Sequence, residues 1–176
     1  TWEGGVRVPF AIRWPARIPP GQVFTKPVIS LDIFPTAMAA AGITKTSGKP
    51  LDGVDLLPWL TASREDRPHD TLYWKNGSKW AVRDGDLKLV VSPAGSGRKG
   101  RRRQNSPEMP DAETGLFHIP HDPEEKHDLS AAQTADVARL KAMYEVWKQD
   151  FPETPWAPGG RSDGSEEPLI QGKKPL

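Results

Sequence analysis

The chain has 176 residues, a length that suits one domain with a core of ordinary size. Its 36% apolar content and 19 prolines point to a loop-rich fold, and its net charge of +1 gives no global steering toward nucleic acid or membrane. The absence of cysteine excludes disulfides, thiolate zinc sites and a cysteine nucleophile within these residues, and no apolar run approaches the roughly 20 residues of a membrane span.

Residues 4–14 come first. Val6, Val8, Phe10 and Ile12 alternate with Arg7, Ala11 and Arg13, which is strand periodicity with one buried face. Pro9 lacks an amide donor, so the strand 6–13 belongs at an edge or carries a bulge. The pair Gly4-Gly5 permits backbone conformations that a Cβ forbids, as suits a chain turning into a strand. A helix is predicted over 31–42, capped by Ser30 or Asp32, with Pro35 in its first turn and Gly42 at its end. A polar linker follows over 44–50, then a short helical turn over 55–60.

Strands are predicted over 71–74, 79–83 and 87–91. Asp84-Gly85 reads as the two central residues of a hairpin turn, both with positive φ. Residues 92–113 carry Pro, Gly, Ser and the basic run 98–103, and read as a long mobile loop. A last strand is expected over 115–119. The clearest helix spans 131–149. Ser130 and Gln133 fit a capping box, and Val137, Leu140, Tyr144 and Trp147 form the stripe that packs on the sheet. Residues 152–176, rich in Pro, Gly and charge, read as a disordered tail. The fold class is α+β, a small antiparallel sheet with a long C-terminal helix packed on it.

Five blocks in order resemble the sulfatase family, arylsulfatase-like members of the alkaline-phosphatase superfamily. They are Thr1 to Phe10 followed by Trp14-Pro15, Ser30 to Gly42, Leu51 to Pro58, Trp80 to Leu89, and Gly115 to Leu129 with its Asp122-Pro123-Glu124-Glu125 turn. Together they cover roughly residues 1–150, and the basic loop 96–113 and the tail lie outside them. The resemblance implies the C-terminal part of an alkaline-phosphatase-like α/β sulfatase. Residues 1–50 would close the catalytic domain, 51–151 would form a C-terminal subdomain, and 152–176 would be the tail. Such enzymes hydrolyse sulfate esters with a formylglycine made from a C/S-x-P-x-R motif and a calcium ion held by oxygen ligands, a hard cation on hard donors. The chain holds no such motif and no paired acidic metal-site sequence, and the family's catalytic Lys would precede Thr1. The expectation is therefore a C-terminal fragment, inactive alone, that binds no calcium itself and works beside a missing N-terminal catalytic domain. Its substrate would be a sulfate-ester small molecule or a sulfated glycan, with no nucleic acid and no membrane as partner. Family analogy alone suggests a periplasmic or secreted protein.

The candidate substrate-binding residues are Trp2, Glu3 and His69. Trp2 and Glu3 would sit beside the family's catalytic Lys and line the sulfate pocket; otherwise Glu3 caps a turn and Trp2 packs. His69 would reach the leaving group from a rim loop, or else be an exposed loop histidine. His118, His121 and His127 are separated by prolines that no helix spans, which disfavours a metal cluster. Trp59, Trp74, Trp80 and Trp147 are either core residues or a sugar-stacking platform. The run 98–103 either binds a polyanion or is a solvated insertion. A non-catalytic anionic-glycan module and a related phosphate or phosphonate ester hydrolase are the competing functions.

Overall fold

A computed structural model describes residues 1–43, 48, 50–92 and 114–150. The expected mobile loop with its basic run and the expected tail lie outside the described residues. Four strands, β1 (Thr71–Asn76), β2 (Lys79–Asp84), β3 (Leu87–Val91) and β4 (Thr114–His118), form one antiparallel sheet in the order β1-β2-β3-β4. Both hairpins have two-residue loops. Asn76 pairs with Lys79 around Gly77-Ser78, and Asp84 pairs with Leu87 around Gly85-Asp86. The second turn is therefore shifted by one residue from the sequence reading. Gly85 takes the first central position at φ +59, and Asp86 is not among the residues of positive φ, the pattern of a type II′ turn.

The strand register sorts the side chains onto two faces. One row runs Tyr73–Val82–Leu89–Leu116 and faces helix α4 (Thr134–Lys148). Leu140 and Tyr144 enter this core, and the aromatic rings close over it. Trp80 stacks on Tyr144 at 3.9 Å between centroids, and Tyr73 stacks on Trp147 at 4.8 Å. Helix α4 begins at Thr134 rather than near 131. Ser130 gives its amide and hydroxyl to Asp128 instead of capping the helix, and Asp128 also accepts the Leu116 amide of β4. The N-cap position thus falls to Gln133, whose side chain makes no cap bond.

The opposite sheet face carries the rows Trp74–Ala81–Val90–Gly115 and Leu72–Arg83–Lys88–Phe117. Phe117 folds over Gly115, where a Cβ would lie 2.6 Å from the ring. Trp2 packs on Phe117 with centroids 5.6 Å apart, so the start of the chain covers this face.

Residues before β1 form a second, smaller assembly. A 3-10 turn (Ser30–Asp32) leads into α2 (Ile33–Ala40), and α3 (Leu57–Leu60) lies beside it. Ile18, Leu56 and Leu60 form its core, flanked by Trp14, Val28 and Val54. Asp32 is fully buried and ties three segments together. Its carboxylate accepts the amides of Ile29 and Val54, each at 2.9 Å, and meets His69 Nε2 at 2.8 and 2.9 Å. Gly53 makes this possible, because its Cα faces the Leu31 carbonyl so closely that a Cβ would stand 2.1 Å from the oxygen.

The expected strand 6–13 is not formed. Residues Glu3–Val6 are a helical turn, α1, and residues 7–13 make no ladder with any described residue. Alternation records which side chains seek burial, but a strand also needs an edge to pair with. Val8 is 68% exposed and Phe10 54%, and Leu31, Ile33 and Phe34 are exposed too.

Candidate functional site at the α1 turn

Turn α1 is held from beneath by charge. Glu3 is buried, and its Oε1 accepts a hydrogen bond from Lys88 Nζ at 2.7 Å. The Glu3 amide donates to Glu125 Oε2 at 2.7 Å, and Glu125 Oε1 lies 2.9 Å from the same ammonium. Lys88 has no exposed surface, and its ammonium also sits 5.4 Å from the Trp74 ring centroid. Three segments far apart in sequence therefore converge on one cation.

The charges balance once Arg83 is included. Arg83 and Lys88 are direct cross-strand partners, so two cations share one sheet face. Like charges placed so are destabilising unless compensated. Glu3 and Glu125 supply two negative charges for the two positive ones. Burial lowers the Arg83 guanidinium from its usual range, while Glu3 acts to raise it. Arg83 Nε also donates to the Gly85 carbonyl at 3.1 Å. Burying an ion costs several kcal/mol, so deleting one partner of such a cluster costs roughly 3–5 kcal/mol, largely for the charges left behind.

Glu125 is itself fixed by its loop. It adopts φ +55, a left-handed conformation that costs a non-glycine residue about 1–3 kcal/mol and persists only when its surroundings demand it. Asp122 supplies that demand by accepting the amides of Lys126 at 3.1 Å and His127 at 2.8 Å. Burial acts to raise the Asp122 carboxyl, and these bonds, with His127, overcome it and hold the group below the usual carboxylate range.

The outer side of α1 is bare. Gly4 and Gly5 are exposed, and a Cβ added at either meets nothing within 4 Å. Neither has positive φ, and both are helical. The sequence expectation that these glycines serve an unusual backbone conformation is corrected: their backbone is one any residue adopts.

The three sequence candidates fall in two places. Trp2 and Glu3 lie together at α1, Trp2 half-buried on Phe117 and Glu3 turned inward to Lys88. His69 lies at the Asp32 clamp with its Nε2 on that carboxylate, and is not an exposed loop histidine. Lys88, Arg83 and Glu125 were not singled out from the sequence. The available signal was Lys88 itself, a lysine in the run Leu87 to Val91 at the parity of a covered face.

The tryptophans are chiefly core residues. Trp80 and Trp147 stack on tyrosines, Trp74 lies over Lys88, and Trp59 is buried with its indole N–H donating to Asp66 Oδ1 at 2.9 Å. His118 and His121 stack at 4.3 Å, and His127 Nδ1 lies 3.5 Å from Asp122. Among the described residues, no three histidine or carboxylate side chains gather as metal ligands. The paired carboxylates of Glu3 and Glu125 face an ammonium. Among the described residues no such set fits a calcium ion.

No protein-family model matches the chain. Steryl-sulfatase of Mus musculus is 38% identical over 89 residues, covering 44% of this chain and 14% of that protein. N-acetylgalactosamine-6-sulfatase of Canis lupus familiaris is 29% identical over 166 residues, covering 85% of this chain and 31% of that protein. Among solved structures, Ps i-CgsB superposes with a TM-score of 0.61 at 26% identity, over 81% of this chain and 29% of that one. The same protein has been solved in complex with k-i-k-neocarrahexaose. The chain thus spans less than a third of the length of these relatives. BT4656, solved with its substrate D-glucosamine-2-N,6-O-disulfate, shares the fold, with a TM-score of 0.52 at 18% identity. The chain is similar in sequence to these sulfatases.

Proposed function

We propose that this chain is the C-terminal portion of a sulfuric ester hydrolase acting on aryl or carbohydrate sulfates. The supporting observation is an alignment with an N-acetylgalactosamine-6-sulfatase that runs through 85% of the chain. A solved relative in complex with a neocarrahexaose favours a carbohydrate over a simple aryl ester. The formylglycine and calcium that the sulfatase resemblance implies would be supplied by residues outside these 176, since no C/S-x-P-x-R motif occurs among them.

In this reading, residues 1–50 close the catalytic domain and the sheet with α4 forms a C-terminal subdomain. Exposed Val8, Phe10, Ile33 and Phe34 then lie against the catalytic part of the enzyme. Trp2 and Glu3, turned inward at α1, support the wall of the substrate pocket from behind, and His69 is the residue of the three that reaches substrate. His69→Ala in the complete enzyme raises KM, and an unchanged KM removes His69 from that wall.

The test is sulfate release, followed by ion chromatography, from 4-nitrophenyl sulfate and a panel of sulfated saccharides. The complete protein that carries this sequence is compared with the 176-residue chain alone. Release by the first and none by the second is expected. Release by the isolated chain, or none from the complete protein on any sulfate ester, overturns the reading.

A further inference from the structure

We propose that Lys88 is a positioning residue: with Glu125 it clamps Glu3 and so presents the Gly4-Gly5 side of α1 as a rigid surface, free of side chains, for close approach by the catalytic part of the same enzyme. The proposal rests on the sulfatase reading and adds to it a named device and a named contact.

A glycine in a helical turn lowers its stability relative to alanine. Three reasons can justify one: a positive φ, a close neighbour, or a partner beyond the chain. Gly4 and Gly5 have no positive φ and no atom within 4 Å of a Cβ position. Gly53 and Gly115 show the contrast, since at each a Cβ would strike the chain itself. For Gly4 and Gly5 the remaining reason lies outside the described fold.

Rigidity is the second element. A surface offered for close approach has to stay in place. A four-residue turn has little hold of its own, since a single helical turn is mostly nucleation cost. Here its first residue is fixed twice, through the Glu3 amide to Glu125 and the Glu3 carboxylate to Lys88. Trp2 adds a third attachment through Phe117. Lys88 stands on a central strand, and Glu125 on a loop braced by Asp122. The clamp thus transmits the position of the sheet to α1.

The occupant follows from what surrounds the turn. Val8, Phe10 and Ile12, which follow α1 in the chain, are apolar and exposed. An apolar strip this long fits a protein surface better than a sugar sulfate. The relatives are more than three times longer than the part they share with this chain, which leaves ample polypeptide to supply that surface.

The experiment uses the complete protein and 4-nitrophenyl sulfate. Lys88→Met is expected to speed amide hydrogen exchange over residues 1–7 at least ~10-fold more than over α4. It lowers kcat at least ~10-fold with KM within about 3-fold, the signature of lost positioning rather than lost binding. Lys88→Arg restores kcat, because a guanidinium also bridges two carboxylates. If Lys88→Met does not fold, the Glu3→Gln/Lys88→Met variant removes one charge of each sign and leaves Glu125 to balance Arg83, and the same changes are expected. Gly4→Ala/Gly5→Ala lowers kcat with exchange over residues 1–7 no faster than wild type. Wild-type exchange at residues 1–7 in a folded Lys88→Met protein refutes the clamp. Wild-type kcat and KM in Gly4→Ala/Gly5→Ala refutes the close approach. A wild-type protein without sulfate release from 4-nitrophenyl sulfate and from every sulfated saccharide of the panel overturns the sulfatase reading, and the exchange measurement still decides the clamp.

Discussion

Replacing Gly53 with alanine tests the packing logic of the N-terminal half most directly. The added Cβ would stand 2.1 Å from the Leu31 carbonyl oxygen, 2.3 Å from its carbon and 2.7 Å from the Asp32 amide nitrogen. All three are backbone atoms, so no side chain can swing away. Ordinary contact needs about 3.5 Å, so the two segments have to separate by roughly 1 Å or more. The next residue, Val54, donates its amide to Asp32 Oδ1 at 2.9 Å, and a separation of that size breaks the bond. Overpacking of this kind costs about 1–3 kcal/mol, and losing a hydrogen bond to a buried charged acceptor costs roughly 1.5–3 kcal/mol. Together these come to roughly 2.5–6 kcal/mol, read as a fall in the urea midpoint at unchanged slope. A loss below about 1 kcal/mol would mean that the close approach of residues 31 and 53 is not a requirement of the fold.

Other measurements probe the sheet and its helix. Leu140→Ala deletes a fully buried side chain between α4 and the sheet and is expected to cost roughly 2–5 kcal/mol in the same urea assay; a loss under about 1 kcal/mol would remove α4 from the core. Gly85→Ala is expected to cost about 1 kcal/mol by thermal unfolding, because φ is +59 and the nearest atom, at 3.3 Å, is the end of the flexible Arg67 side chain; a rise in Tm would refute the turn assignment. At Asp84 burial acts to raise the carboxyl, but hydrogen bonds from Arg139 and Thr71 outweigh it and hold the group below its usual range. A depressed folded-state pKa stabilises above the unfolded value and is lost as pH falls through the folded one. Asp84→Asn therefore flattens the decline in stability below about pH 4, by less than ~1 kcal/mol because Arg139 is half exposed; an unaltered acid limb refutes the pairing.

The sheet and α4 were legible because their signals are local. Short apolar and β-branched runs, the hairpin glycine at residue 85, and the stripe Val137, Leu140, Tyr144 and Trp147 each lie within about 15 residues. The hairpin at residue 84 was placed one residue early, since Asp-Gly and Gly-Asp both suit two-residue loops and only the pairing of Asp84 with Leu87 chooses between them. The charge cluster was not legible. Glu3 and Lys88 are separated by 85 residues, and nothing local marks either as the other's partner. Asp32 reads as a helix cap and is instead a joint among residues 29, 54 and 69. The strand expected over residues 6–13 differs in kind from these misses. Its alternation is real, and yet Val8 and Phe10 face outward with no edge to pair with among the described residues. Gly4 and Gly5 behave alike: the sequence carries a constraint that the described fold does not use. Both run along one continuous stretch of chain, from the clamped turn into the exposed apolar strip. A constraint that the described fold leaves unused there, in a chain spanning less than a third of its relatives, is what the proposed contact with a further part of the enzyme would use.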